Sequence, residues 1–377
     1  MDKKLRFSIA ELASRINGKV LNNAGQMSVE AVVNNSRLCK EKSLFVAIRG
    51  SVVDGHRYID DAFENGAAAV VVSDRSKLGS RPGILVENGY RALSRLSSLF
   101  NGEAAKKIQT IGITGTNGKT TIHWILYHVL RSMNLNTIRI GSLGVYSDSG
   151  IDLDGKAATS TGGEIFMTTP GPLEIHRAMG MALQKGISHC VMETSSHAMD
   201  QYRVADLLYH AAIFTNLTPD HLNYHNDMEA YFRAKVRLFE QMAENRRQLK
   251  LDERADNSGG AVINTDDSYG RRLIDISAGL GLPVLTFGEA EHADIRIVEF
   301  VPDLGRSVLK LKYNNRLYHI RTPLIGDYNA SNIAAVFTVC ISLGLSPDQI
   351  VAGIEGVDSV PGRLESVGNN KIGVYVD

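Results

Sequence analysis

The stretch that most restricts how this chain folds is TIGITGTNGKTT, residues 110–121. An apolar run of strand length passes through a glycine turn into Gly-Lys-Thr-Thr, and the following KTTIHWILYHVLRSMN has helical apolar spacing. A strand–glycine turn–helix unit of this kind turns backbone N–H groups of the turn and of the helix N-terminus toward phosphate oxygens. Lys119 then neutralises the β- and γ-oxygens of a nucleotide, and Thr120 offers a hydroxyl to Mg²⁺. The strict motif has glycine five residues before the Gly-Lys pair. Here that position is Ile113 and the glycines fall at 112 and 115, giving G-x-x-G-x-x-G-K-T. Gly115, Thr116, Asn117, Gly118, Lys119, Thr120 and Thr121 are therefore the expected ATP-binding loop.

The flanking sequence alternates strands and helices. SLFVAI (43–48) and AAAVVVS (67–73) read as buried strands, with AFENGA a helix stopped by glycine. FNGEAAKKIQ (100–109) reads as a linker into a second domain. There SHCVMETS (188–195), HAAIFTNL (210–217), GAVINTDD and LPVLTFG are strands, and PLEIHRAMGMALQKG, MEAYFRAKVRLFEQMAE, NASNIAAVFTVCISLGL and SPDQIVAGIEGV are helices, the last capped by Ser346. The pattern predicts an α/β chain with a parallel sheet covered by helices. The expected domains are 1–105, 106–358 and a remnant at 359–377, where KIGVYVD reads as a strand with no evident partner.

In an open parallel sheet, ligands gather beyond the carboxyl ends of the strands. Glu193 ends one strand and Thr218-Pro219-Asp220-His221 follows another, so both face the rim that holds Lys119. An acid in that place suits Mg²⁺ or is merely a solvated loop acid. His221 and His225 are four residues apart, but no Glu follows His221, so a zinc-protease pattern is not formed. Periodicity does not single out Lys235, which reads as one lysine of a helix. The balance of 41 basic and 41 acidic residues argues against nucleic acid as a bulk electrostatic partner. The three cysteines, Cys39, Cys190 and Cys340, are too far apart and too few for a disulfide framework. No run reaches a membrane span or a signal peptide's apolar stretch, so a cytoplasmic monomer without membrane insertion is expected.

Taken together, GITGTNGKTT, METSSHAMDQYR, FTNLTPDHLNYH and AYFRAK resemble the central domain of the Mur ligases. NNSR (34–37), LFVAIRG (44–50) and DGHRYIDDAFENGAAAVVV (54–72) resemble the uridine-nucleotide-binding domain of the MurE type within that family. Thr168-Thr169-Pro170, GDYNASNIAAV (326–336) and PGR (361–363) are also similar. The resemblance implies an N-terminal α/β uridine-nucleotide-binding domain and a central phosphate-loop ATPase domain. It implies an ATP-dependent ligase that adds a diamino acid, meso-diaminopimelate or L-lysine, to UDP-N-acetylmuramoyl-L-alanyl-D-glutamate through an acyl phosphate. Ser36 and the Ser51-Val52-Val53 backbone would contact the uridine nucleotide. Thr168, Thr169, Ser195, Gln201 and Arg203 would hold the muramoyl peptide, with Met167 where some members have Asn. Thr120, Glu193 and His221 would serve Mg²⁺, together with Lys235 as a CO₂-derived carbamate. Lys119, Lys235 and His221 would be catalytic, Asn329 and Asn332 would approach adenine, and Arg363 the ribose or phosphate.

Members of the family continue into a third, Rossmann-like domain that binds the incoming amino acid, and only about 15 residues follow PGR here. The expectation is a chain that binds the uridine nucleotide and does not complete ligation. A folylpolyglutamate synthase-type ligase and a non-catalytic nucleotide-sugar-binding protein are the alternative readings.

Overall fold

Two sheets, each with its own apolar core, organise the chain. The computed structural model describes residues 5–50, 53–153, 167–249, 259–303, 306–363, 365–366 and 375–376. The N-terminal unit runs β1 (Phe7–Ser8), α1 (Ile9–Arg15), β2 (Lys19–Leu21), β3 (Ser28–Val29), β4 (Ala31–Val33), β5 (Ser43–Val46), α2 (Ile59–Glu64), β6 (Ala67–Val72), β7 (Gly83–Leu85) and α3 (Gly89–Phe100). Its five-stranded sheet has the order β2-β7-β6-β5-β4, parallel except at β2. The runs SLFV and AAAVVV are buried almost throughout because helices cover both faces.

The central unit runs β8 (Gln109–Thr114), α4 (Lys119–Ser132), β9 (Thr137–Gly141), β10 (Gly144–Ser147), β11 (Ile151–Leu153), α5 (Pro172–Gln184), β12 (His189–Glu193), α6 (Ser196–Asp200), β13 (Tyr209–Phe214), α7 (Leu222–His225) and α8 (Met228–Leu249). It continues through β14 (Ala261–Asn264), α9 (Ser268–Gly279), β15 (Val284–Gly288), β16 (Ile295–Val301), β17 (Ser307–Tyr313), β18 (Arg316–Thr322), α10 (Tyr328–Ser342) and α11 (Pro347–Glu355). The sheet order is β11-β10-β9-β12-β8-β13-β14-β15-β16-β17-β18.

Alternation along the strands sorts residues between the two faces. Ile111, Ile113, Val191, Ile213 and Val262 pack toward α4 and α10. Met192, Ala212, Phe214 and Ile263 pack on the opposite face with Phe232, Leu238 and Phe239 of α8. Each of these side chains other than Ala212, fully buried, contributes about 1.5–3 kcal/mol of transfer free energy.

Three expectations need correction, and a fourth is extended. The expected parallel sheet forms as β9-β12-β8-β13-β14-β15-β16, and the antiparallel meanders β9-β10-β11 and β16-β17-β18 lengthen it at its two ends. In β17 only alternate residues, Ser307, Leu309 and Leu311, are fully buried, the signature of a strand with one covered face. The stretch 100–109 is not a loose linker, because Ala104, Ala105 and Ile108 are buried in the central core. Ser346 occupies the N-cap position of α11 but its side chain makes no cap hydrogen bond. Residues 375–376, part of the expected terminal strand, do find a partner, pairing antiparallel with 365–366. Among the described residues, no helix is long and apolar enough to cross a membrane.

The two units meet where α3 packs on α5. Arg95 of α3 donates to Glu103 Oε1 at 2.7 Å and to Asp206 Oδ2 at 3.1 Å, joining the N-terminal unit to the turn before β13.

Candidate active site

The loop between β8 and α4 is built around two glycines in the left-handed half of conformational space. Gly115 has φ +146° and a Cβ there would collide with Thr215 Oγ1. Gly118 has φ +86° and a Cβ would collide with Asn332 Oδ1. Both places therefore require glycine. The segment after β13 clasps the loop from the side. Asn216 O accepts from Thr116 N at 2.9 Å, Asn216 Oδ1 accepts from Asn117 N at 3.0 Å, and Thr215 Oγ1 donates to Asn117 O at 2.6 Å. Thr218 N donates to Thr116 Oγ1 at 3.1 Å. In the sequence, Thr215 and Asn216 read only as the end of the strand HAAIFTNL, and Thr218 as the start of the segment that follows it.

Two lysines converge on this loop. Lys119 Nζ donates to Gly115 O at 3.0 Å and Thr116 O at 2.8 Å. Lys235 Nζ reaches the same Gly115 O at 2.8 Å and lies 4.4 Å from the centre of the Tyr231 ring. Lys235 is 1% exposed, so the exposed helical lysine of the sequence pattern is not what the fold makes of it. Burial, and then the charge of Lys119, hold its amine well below the ordinary lysine range. Lys119 is also lowered, by burial first, with Glu193 and Asp220 opposing and Arg363 assisting.

Glu193 closes the group. It ends β12, is 0% exposed, and β12 lies beside β8 with Glu193 opposite Ile113. Thr120 Oγ1 donates to its Oε2 at 3.1 Å, Ser142 N to its Oε1 at 2.9 Å and Ser142 Oγ to its Oε2 at 3.2 Å. Gly141 leaves room for the carboxylate, since a Cβ would lie 2.8 Å from Glu193 Cγ. Burial pushes its carboxyl upward, and the bonds from Ser142 and the Lys119 charge pull the other way. The imidazole of His123, Nδ1 3.7 Å away, is fully buried and pushed down to about 3, so it presents a neutral ring.

A second polar group forms at the start of α6. Thr169 Oγ1 donates to Glu193 O at 2.9 Å and accepts from Ser195 N at 3.0 Å. Arg203 Nη1 donates to Thr169 O at 2.9 Å, and its Nε donates to Gln201 Oε1 at 3.0 Å. Ser195 caps α6 by accepting from Ala198 N. Thr168 is adjacent and half-buried. Tyr90, at the start of α3, is near enough to Arg203 and Asp200 to feel their charges, so the N-terminal unit borders this group.

His221 stands in a left-handed turn at φ +53°, half-exposed, its ring 4.9 Å from that of His197 and 6.1 Å from that of Tyr231. His225 is buried and its Nε2 lies 2.9 Å from Ser196 Oγ. The two histidines differ in exposure, yet both rings pack against His197, at 4.9 and 5.4 Å, and His225 N donates to His221 O at 3.0 Å. Among the described residues, no group of three His, Cys, Asp or Glu that could hold a metal occurs. Asn329 and Asn332 are buried together, Asn332 Nδ2 donating to Asn329 Oδ1 at 3.0 Å, and Asn332 abuts Gly118. Arg363 is exposed and near enough to Lys119 to depress it. Ser36 is buried just beyond β4 and Val53 is 45% exposed, while Ser51 and Val52 lie outside the described residues. Among the described residues, none of the hydrogen bonds of the central group involves Ser36 or Val53.

A phosphate loop on an open, mainly parallel sheet, with a buried acid and a buried lysine against it, defines a phosphate-loop α/β protein equipped for phosphoryl chemistry. The chain belongs to the Mur ligase family. Residues 113–340 match the Mur ligase middle domain, and residues 28–101 match the Mur ligase family catalytic domain. It is 36% identical over 349 residues to the UDP-N-acetylmuramoyl-L-alanyl-D-glutamate--2,6-diaminopimelate ligase of Aquifex aeolicus, covering 93% of this chain and 66% of that one. Identity to the enzyme of the same name from Geobacter metallireducens is 35% over 374 residues, 98% of this chain and 68% of the other. A solved structure of a ligase of that name superposes with a TM-score of 0.78 at 22% identity, over 97% of this chain and 70% of that chain. The chain thus spans about two thirds of the length of the relatives it matches.

Proposed function

We propose that this protein is an ATP-dependent ligase adding a diamino acid to UDP-N-acetylmuramoyl-L-alanyl-D-glutamate, a step of peptidoglycan precursor synthesis in the bacterial cytoplasm. The relatives named above add 2,6-diaminopimelate, and the same acceptor is proposed here. The observation that carries the reading is the convergence of Lys119, Thr120, Glu193 and buried Lys235 on one loop, beside the Thr169–Arg203 group.

In this reading the loop amides and Lys119 hold the ATP phosphates, with Lys119 exchanging its loop carbonyls for γ-oxygens. Asn329 and Asn332 border the adenine, and Arg363 the ribose or phosphate. Ser36 and the 51–53 backbone bind uridine. Thr168, Thr169, Ser195, Gln201 and Arg203 hold the muramoyl peptide so that its D-glutamyl carboxylate faces the γ-phosphorus. Carboxylate oxygen attacks, the bond to the bridging β–γ oxygen breaks, and ADP carries the electron pair away. The amine of the diamino acid then attacks the acyl carbon, phosphate departs, and the amine gives up a proton. Alignment of three substrates supplies most of the acceleration.

Thr120, Glu193 and His221 offer the oxygen and imidazole donors that would hold Mg²⁺. The donor set fits. Glu193 is a buried acid that a cation would relieve. Mg²⁺ would neutralise charge on the transferring phosphoryl group. Lys235 suits carbamylation, because only an unprotonated amine attacks CO₂ and its surroundings favour that form. As a carbamate it would present an anionic oxygen instead of a cation. Titration calorimetry with UDP-N-acetylmuramoyl-L-alanyl-D-glutamate and with a folate tests the assignment. Binding of the first alone supports it, and binding of the folate alone overturns it.

A further inference from the structure

A chain of polar contacts leaves the proposed peptide-binding group and ends on the helix that carries Lys235. Arg203 Nε and Nη2 donate to Gln201 Oε1 at 3.0 and 2.5 Å. Gln201 Nε2 donates to the Tyr224 hydroxyl at 3.3 Å. That hydroxyl donates to Asp200 Oδ2 at 2.9 Å, and Asp200 Oδ1 accepts from Arg237 Nη1 at 2.8 Å. Arg237 stands on α8, two residues after Lys235. The Tyr224 ring is held independently, 4.1 Å from the ring of His197.

The direction of this chain is determined by its ends. Asp200, an acceptor only, accepts the Tyr224 O–H, so the hydroxyl has only lone pairs left for Gln201. Gln201 must then turn its NH₂ toward Tyr224 and its oxygen toward Arg203. The flipped amide would set NH₂ against the guanidinium and oxygen against a lone pair. We infer that the Tyr224 hydroxyl is a positioning group that fixes the orientation of Gln201, and through it Arg203, for the muramoyl peptide, while Asp200 and Arg237 tie this arm to α8. The inference rests on the assignment of Gln201 and Arg203 to the peptide under the proposed function. Tyr224 touches no reacting atom in it.

The test is titration calorimetry of UDP-N-acetylmuramoyl-L-alanyl-D-glutamate against the full chain and against Tyr224→Phe, Gln201→Ala and the double variant. A non-hydrolysable ATP analogue and the melting temperature serve as controls. Tyr224→Phe keeps the ring and loses both hydrogen bonds of the hydroxyl, of which the one from Gln201 bears on the peptide, so peptide-nucleotide affinity falls about three- to tenfold. ATP-analogue affinity and melting temperature stay as in the parent chain. Because the hydroxyl acts through Gln201, the double variant binds no more weakly than Gln201→Ala. Asp200→Ala, which frees the Tyr224 proton, gives a loss like that of Tyr224→Phe and serves if that variant does not fold. Unchanged peptide-nucleotide affinity in Tyr224→Phe, an additive double variant, or an equal loss of ATP-analogue affinity each overturns the inference. Failure of the parent chain to bind the peptide nucleotide overturns the functional assignment instead, and this inference with it.

Discussion

Replacing Lys235 with methionine should stabilise the ligand-free protein while removing a group proposed for catalysis. The Lys235 amine is 1% exposed, and its hydrogen bond goes to a carbonyl that Lys119 already occupies. Each buried donor left without a partner costs about 1–3 kcal/mol, against about 1 kcal/mol gained from the bond that is made. Methionine keeps the volume and carries no charge, so Lys235→Met gains about 1–3 kcal/mol at pH 7. The gain must depend on pH. Between the lowered folded value and the ordinary lysine range, the unfolded chain holds a proton at Lys235 that the folded chain has released. Parent stability therefore rises with pH in that window, by about 1.4 kcal/mol per unit at most, and the methionine variant lacks this rise. The advantage of methionine shrinks as pH goes from 7 toward about 10. Urea unfolding of both chains at pH 7 and pH 9.5 in CO₂-free buffer reads both effects. A variant less stable than the parent at pH 7, or a difference that does not change with pH, refutes the reasoning.

Three other substitutions separate parts of the site. Gly115→Ala should lower ATP-analogue affinity by at least tenfold, since the loop is left-handed there and Thr215 blocks a Cβ; calorimetry against the parent chain checks this. Glu193→Gln keeps the bond from Ser142 N, turns an NH₂ donor toward the Ser142 and Thr120 hydroxyls and loses the charge, so Mg²⁺-dependent tightening of ATP-analogue binding should disappear while the melting temperature changes by only a few degrees. Arg95→Ala leaves Asp206 partly buried without its cation, and unfolding in urea should show a loss of about 2 kcal/mol.

The strand–glycine turn–helix unit was legible because such a turn needs glycine at fixed spacing, and Gly115 and Gly118 both stand at positive φ between β8 and α4. Strands of continuous apolar residues were legible for the same reason as their burial: both faces are covered. The antiparallel β16–β18 meander differs, since its alternation reflects a sheet that extends past the last covering helix on one side. Glu193 was readable from its place at a strand end. Ser142 was not, because it reaches Glu193 only through the parallel pairing of β9 with β12. Lys235 shows what a helix pattern conceals. It lies on the stripe formed by Tyr231, Leu238, Phe239 and Met242, where a lysine breaks the apolar order, and only the packed sheet shows that the stripe is buried. The left-handed φ of His221 has no counterpart in residue spacing, whereas the helical relation drawn from sequence holds in the backbone, where His225 N donates to His221 O at 3.0 Å.

The central claim is that the loop, Glu193 and Lys235 serve the activation of a muramoyl-peptide carboxylate. Trapping with hydroxylamine measures this directly, because an acyl phosphate is converted to a stable hydroxamate identifiable by mass. The account predicts hydroxamate on the D-glutamyl residue when ATP, Mg²⁺ and UDP-N-acetylmuramoyl-L-alanyl-D-glutamate are all present, and none when Lys119→Ala replaces the parent chain. Absence of hydroxamate with the parent chain under conditions where both nucleotides bind would contradict it.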